Sequence, residues 1–182
     1  MFLVTTSHRP SQRLRSFVKD LTLILPGSVR VTRGKRRLVD LAYLALLLKK
    51  KYLVVATNKK GNPAVIHVYV VHYDAEGKVT ASKYFDMLLG GVRLSREGGA
   101  KLTAPITSYS SVDESGCSSN KCLELAGLLM SLLKDFINKS SAFKISLQDE
   151  GGNVTVKILS RNGYVVGPLL KVRGFKTYGE QG

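Results

Sequence analysis

Arginine and lysine carry the chemistry this sequence has to offer. Arg9, Arg13, Arg15 and Lys19 crowd one short segment, Arg30, Arg33, Lys35, Arg36 and Arg37 a second, and Lys59 with Lys60 a third. A guanidinium holds its N–H donors in a planar fork that meets two phosphate oxygens at once, while an ammonium acts as a point charge. Arginine-rich sets therefore suit the repeated phosphates of a nucleic-acid backbone better than solvation alone requires. Ser7 and Gln12 stand beside the first set as neutral donors. The free N–H groups where a helix begins bind phosphate as well. These residues together form the candidate binding site.

The charge is unevenly spread. The 182 residues hold 28 basic and 13 acidic side chains, a formal charge of +15. Residues 1–60 set 14 basic residues against Asp20 and Asp40 alone, whereas residues 61–182 set 14 against 11. A positive field concentrated at one end of the chain points to a polyanionic partner, and nucleic acid is the commonest. Lys49, Lys50 and Lys51 have another explanation, because they close a helical segment where cations meet the negative end of the helix dipole. Tyr69, Tyr73, Tyr84 and Phe85 lack the spacing of an RNA-recognition aromatic motif and read as sheet packing.

Catalysis finds little to start from. His8, His67 and His72 are the only histidines, neither His67 nor His72 forms a metal pair with a cysteine, and no D-x-D or H-E-x-x-H spacing occurs. No glycine-rich phosphate loop precedes a helix with lysine and serine. The expectation is a non-enzymatic protein with no metal and no cofactor. Cys117 and Cys122 lack a second pair to complete a zinc site, and two sparse cysteines suggest free thiols in a reducing compartment. The longest apolar run, 41–48, is too short for a membrane span, so a soluble, cytoplasmic protein is expected, nucleolar if eukaryotic.

The elements that must position the basic residues follow from hydrophobic period. Leu14, Phe17, Val18, Leu21, Ile24 and Leu25 make a helical stripe over 11–25, capped by Ser11 or Ser7 and stopped by Pro26-Gly27. A second helix over 38–50 is apolar on most sides, which predicts burial between the sheet and its neighbours. A third covers 121–137 with Leu125, Leu129 and Leu132 on its stripe. Strands are expected at 2–5, 28–32, 52–57, 64–73 and 78–89, then at 103–111, 143–148, 153–160, 164–166 and 169–175, with 112–120 a polar loop. The basic turn 33–37 separates the second strand from the second helix. This order predicts an α/β (α+β) chain of two similar halves with mixed sheets, divided near residue 92.

The run Thr5-Thr6-Ser7-His8-Arg9-Pro10-Ser11-Gln12-Arg13-Leu14-Arg15-Ser16-Phe17-Val18-Lys19-Asp20-Leu21 resembles the opening of the Brix domain. Val31-Thr32-Arg33-Gly34-Lys35 and Lys60-Gly61-Asn62-Pro63 are similar to two later motifs of that family, in its short archaeal form. The resemblance covers much of the first half. It implies one Brix domain whose halves, 1–92 and 93–182, each resemble the anticodon-binding domain of class IIa aminoacyl-tRNA synthetases. It also implies binding of ribosomal RNA or pre-rRNA, and of ribosomal or assembly proteins, during rRNA processing and subunit assembly. The alternatives are a protein-binding scaffold in an assembly ribonucleoprotein, or an RNA-modifying enzyme.

Overall fold

A computed structural model describes residues 1–98 and 100–179. Among them the chain runs β1 (Phe2–Thr6), α1 (Gln12–Ile24), β2 (Val29–Arg30), α2 (Leu38–Leu47), β3 (Tyr52–Lys59), β4 (Asn62–Tyr73) and β5 (Val79–Arg93). It continues through β6 (Val112–Gly116), α3 (Asn120–Leu133), β7 (Phe143–Glu150), β8 (Asn153–Ser160) and β9 (Val165–Thr177). The strands form one mixed sheet in the order β2-β1-β3-β4-β5-β9-β8-β7-β6.

The order repeats within the sheet. β1 pairs in parallel with β3, and β4 and β5 follow antiparallel. β6 pairs in parallel with β7, and β8 and β9 follow antiparallel. The last strand of each set, β5 and β9, meet antiparallel at the centre. A parallel pair needs a crossover: α1, β2 and α2 carry the chain from β1 to β3, and α3 carries it from β6 to β7. The first set alone inserts β2 and α2.

Side chains alternate along each strand, so the sheet has two distinct faces. Phe2, Val4, Val54, Ile66, Phe85, Leu147, Val156 and Val172 share a core with Leu14, Phe17 and Leu21 of α1 and Leu125, Leu129 and Leu133 of α3. Leu3, Leu53, Val55 and Val71 project oppositely and meet Leu41, Ala42 and Ala45 of α2. The α1 stripe is buried as its period predicts, and each such side chain contributes on the order of 1.5–3 kcal/mol. Tyr109 is enclosed in the larger core and donates its hydroxyl to the Ile24 carbonyl, tying the link before β6 to the end of α1.

Several expectations are corrected. Residues 103–111 hold no regular strand, and the strand lies instead at β6, within the segment read as a loop. β6 is a sheet edge in which Val112 is buried, Asp113 is half-buried and Glu114, Ser115 and Gly116 are exposed, so it lacks a buried strand's pattern. The last two expected strands are one, β9, running through Gly167-Pro168. Pro168 is tolerated because the register shifts there: Ile158 pairs with Val166 and Val156 with Leu170, leaving the intervening β9 residues in a bulge. α3 ends at Leu133 and passes into a 3-10 turn, Lys134–Phe136. α2 is covered on one side only, with Tyr43 and Leu47 exposed. Cys117 and Cys122 are joined as a disulfide rather than free, their Cα atoms 5.3 Å apart where β6 leads into α3.

Candidate nucleic-acid interface

β1, β2 and β3 run parallel, so their C-terminal residues Thr6, Arg30 and Lys59 point to one edge of the molecule. β1 exits toward α1 on one face and β2 exits toward α2 on the other. Where neighbouring parallel strands send their connections to opposite faces, a crevice opens beyond the strand ends. Here it is a cleft of about 560 Å³ walled by residues 6–10, Arg15, Val18 and residues 30–34. Ser7, Arg9, Arg15, Arg30 and Arg33 line it, with no acidic side chain among the lining residues.

Backbone pairing holds the two walls. Val31 N–H donates to the Val4 carbonyl at 3.0 Å and Ser7 N–H to that of Ala56 at 2.8 Å. The Thr5 hydroxyl donates to the Val31 carbonyl at 2.7 Å, and His8 Nδ1 lies 3.3 Å from the Gly34 carbonyl across the mouth. Arg9 adopts a left-handed φ of 51°, a strained conformation that persists only where the surroundings impose it. The turn after β2 is closed by its own arginines: Arg33 Nε donates to the Arg36 carbonyl at 3.2 Å and Arg36 Nη1 to that of Thr32 at 2.9 Å. Arg37 caps α2, with Nε 3.7 Å from Asp40. Lys35 is exposed in the turn, and Gln12 and Lys19 are exposed on α1 outside the cleft.

The third basic segment arrives through a tight hairpin. Lys59 pairs with Asn62, and Lys60 and Gly61 between them have φ of 49° and 81°. That is the type I′ geometry that matches strand twist. Ser11 fastens this tip to α1, its hydroxyl accepting from Leu14 N–H and donating to the Gly61 carbonyl at 2.7 Å. Lys59 and Lys60 line a second cleft of about 600 Å³ with Arg13 and Arg173. Arg173 lies outside the three basic segments that the sequence singles out. It arrives through β5–β9 pairing, which no local spacing announces.

Arg13 departs from its expected role. Its guanidinium forms a two-pronged ion pair with Glu97 and also donates to the Val92 carbonyl at 2.9 Å. Glu97 additionally accepts from Leu94 N–H at 2.9 Å. The Arg13 guanidinium foremost, then the Leu94 amide, pull the Glu97 carboxyl down to about 2. Arg13 thus fastens α1 to the end of β5, and its donors are largely spoken for.

The second half offers an internal comparison. There Asp149 of β7 reaches the start of α3, accepting from Ser118 N–H at 2.7 Å, Ser119 N–H at 2.8 Å and the Ser119 hydroxyl at 2.6 Å. The Ser119 hydroxyl and these amides hold its carboxyl well below the usual range. Asp149 lies one residue past Gln148, the partner of Gly116. The matching position in the first half, one past the partner of Thr6, is Thr57. The two hairpin tips differ likewise, with Lys60-Gly61 beside Lys59 in one and Gly151-Gly152 beside Glu150 in the other. The second half supplies its own anion near the helix start, whereas the first presents cations there.

β4–β5 pairing also assembles a polar cluster that no sequence spacing predicts. Asp86 is buried and accepts from His67 at 2.6 Å, Lys83 at 2.7 Å and Tyr178 at 2.8 Å. Burial pushes the Asp86 carboxyl upward, but the hydrogen bonds from Lys83, His67 and Tyr178 prevail and leave it below its ordinary value. A carboxylate so fully engaged serves as a cross-strand tie. Among the described residues no group of histidine, cysteine and carboxylate side chains could hold a metal ion, and no helix is long and apolar enough to cross a membrane.

No protein-family model matches the chain. Over 94 residues it is 43% identical to a Brix domain-containing ribosomal biogenesis protein of Aeropyrum pernix, covering 52% of this chain and 50% of that protein. The chain thus spans about half the length of that curated relative. A protein of the same name from Saccharolobus solfataricus is 30% identical over 144 residues, covering 79% of this chain and 74% of its own length. The crystal structure of a ribosomal biogenesis protein from Aeropyrum pernix K1 superposes with a TM-score of 0.78 at 30% identity, covering 94% of each chain.

Proposed function

Because the chain belongs to the Brix-domain family, we propose that it is a non-catalytic factor of ribosome biogenesis that grips ribosomal RNA or pre-rRNA by its phosphates. One observation carries this reading: Arg9, Arg15, Arg30 and Arg33 converge, with no opposing carboxylate, on the cleft beyond the parallel strands. Guanidinium groups on rigid walls lose little freedom on meeting a phosphate. Lys35, Arg36, Arg37, Lys59 and Lys60 extend the positive surface on either side of it, where a backbone leaving the cleft would run.

On this reading the chain is a single Brix domain with halves 1–92 and 93–182. Each half is a variant of the unit found in class IIa anticodon-binding domains, and only the first is charged for RNA. The protein acts in the cytoplasm, or in the nucleolus of a eukaryote, during rRNA processing and subunit assembly. Ultraviolet crosslinking in cells, followed by sequencing of the bound fragments and mapping of the joined peptides, tests the proposal. Fragments of ribosomal RNA joined to peptides from 7–19 and 30–37 are expected. Crosslinks confined to residues beyond 100, or to RNA with no ribosomal enrichment, would defeat it.

A further inference from the structure

Apart from Asp40 in its first turn, α2 is apolar on nearly every side, yet the fold covers only one side of it. Leu41, Ala42 and Ala45 pack on the sheet. Val39, Tyr43 and Leu47, spaced i, i+4, i+8 on the opposite side, are 46%, 56% and 63% exposed, and Leu48 beside them is 40% exposed. A helix this apolar is ordinarily enclosed on more than one side, and a contiguous exposed apolar stripe marks an interaction site. The stripe is bracketed by charge. Arg36 and Arg37 precede the helix, Arg37 paired there with Asp40, and Lys49, Lys50 and Lys51 follow it, all of these cations but the half-buried Lys50 exposed.

We infer that this stripe docks an amphipathic helix of a partner protein, with leucine-type side chains facing Val39, Tyr43 and Leu47 and acidic residues at both ends. Charge complementarity selects this occupant. The cations at each end would meet the carboxylates of an acidic segment and steer its approach. A second copy of this chain would instead bring like charges together, at a net charge of +15 on each. RNA gains little from aliphatic surface, and Tyr43 alone in the stripe offers a ring for stacking. Tyrosine at the middle of an apolar patch is the residue type that anchors protein interfaces. α2 lies on the sheet face opposite α1, so the partner helix and RNA in the cleft occupy different faces and meet only at Arg36 and Arg37 of the 33–37 turn. The inference goes beyond the RNA-binding reading and does not depend on it.

The probe is a labelled synthetic helical peptide with leucines spaced i, i+4, i+8 and glutamates at both ends. Two relatives serve as references, one with the same composition scrambled and one with lysines replacing the glutamates. Binding to the full chain is followed by fluorescence anisotropy, with hydrogen exchange over 38–48. The acidic peptide should bind saturably, at least tenfold tighter than either relative, and protect α2. The triple variant Val39→Ser, Tyr43→Ser, Leu47→Ser should lose that affinity tenfold or more while melting normally and keeping its affinity for a ribosomal RNA fragment. Should the triple variant unfold, Leu47→Ser alone carries the comparison, since that side chain is the most exposed of the three. Equal binding of the scrambled peptide, or full binding by the variant, overturns the inference. So does loss of RNA affinity in a folded variant, or a concentration-dependent dimer of the parent chain that the variant abolishes, because RNA or a second copy would then be the occupant.

Discussion

Replacing Arg13 by Ala separates an arginine that builds the protein from the arginines proposed to grip RNA. Arg13 loses a two-pronged ion pair with Glu97 and a hydrogen bond to Val92, its side chain being 31% exposed and that of Glu97 34%. A partly exposed ion pair is worth about 0.5–1 kcal/mol, and the hydrogen bond to the carbonyl adds about 1 kcal/mol. The expected loss is about 1.5 kcal/mol, which lowers Tm by roughly 3–6 °C for a chain of this size. Acidity gives a second reading. The Glu97 carboxyl sits near 2 in the folded protein against an ordinary 4.5. A depressed carboxylate contributes its stability above the unfolded value and loses it as pH falls through the folded one. The ion-pair part of the difference should therefore be full above pH 4.5 and fade as pH falls toward 2. Calorimetry or urea unfolding of parent and variant between neutral and acidic pH measures both. RNA affinity should keep its salt slope. An unchanged Tm together with a slope lower by about one unit would show Arg13 holding phosphate, and the structural role assigned to it would be wrong.

Asp149→Ala should lower Tm and speed hydrogen exchange at the start of α3, because Ser118 and Ser119 lose their acceptor. In the parent this anchor should outlast the usual carboxylate range on acidification, and exchange unchanged by the substitution would contradict it. Alkylation of the denatured chain without reductant should label neither Cys117 nor Cys122 and should label both after reduction. Two labelled thiols without reductant would remove the disulfide.

What could be read from the chain depended on the reach of each interaction. The α1 stripe and the strands through β5 are local patterns, and Leu14, Phe17, Leu21, Leu41, Leu125 and Leu129 are buried as expected. The three basic segments were visible as charge, although only the parallel pairing of β1, β2 and β3 brings them to one edge. Arg13 could not be told from its neighbours, since Glu97 lies 84 residues away. Asp149 likewise meets Ser118 and Ser119 only because β7 pairs beside β6. α2 misled for a different reason: an apolar composition states what a helix would bury, and the fold decides how many sides are covered. β6 was missed because an edge strand needs little apolar alternation to pair on one side.

The salt dependence of RNA binding tests the cleft most directly. For every phosphate that the protein ceases to neutralise, the slope of log affinity against log salt falls by about 0.7–0.9. Replacing Arg9, Arg15, Arg30 and Arg33 together by Gln removes four charges while leaving the core and the Arg13 ion pair intact. A control replaces Lys134, Lys139, Lys157 and Lys171 by Gln, changing net charge equally at positions away from the cleft. Binding of a ribosomal RNA fragment is titrated over a range of salt, with melting curves to confirm that both variants fold. The cleft variant should lose about three units of slope and most of its affinity at moderate salt, and the control should track the parent. A control that loses the slope while the cleft variant keeps it, or two variants that both keep it, would contradict RNA binding through this cleft.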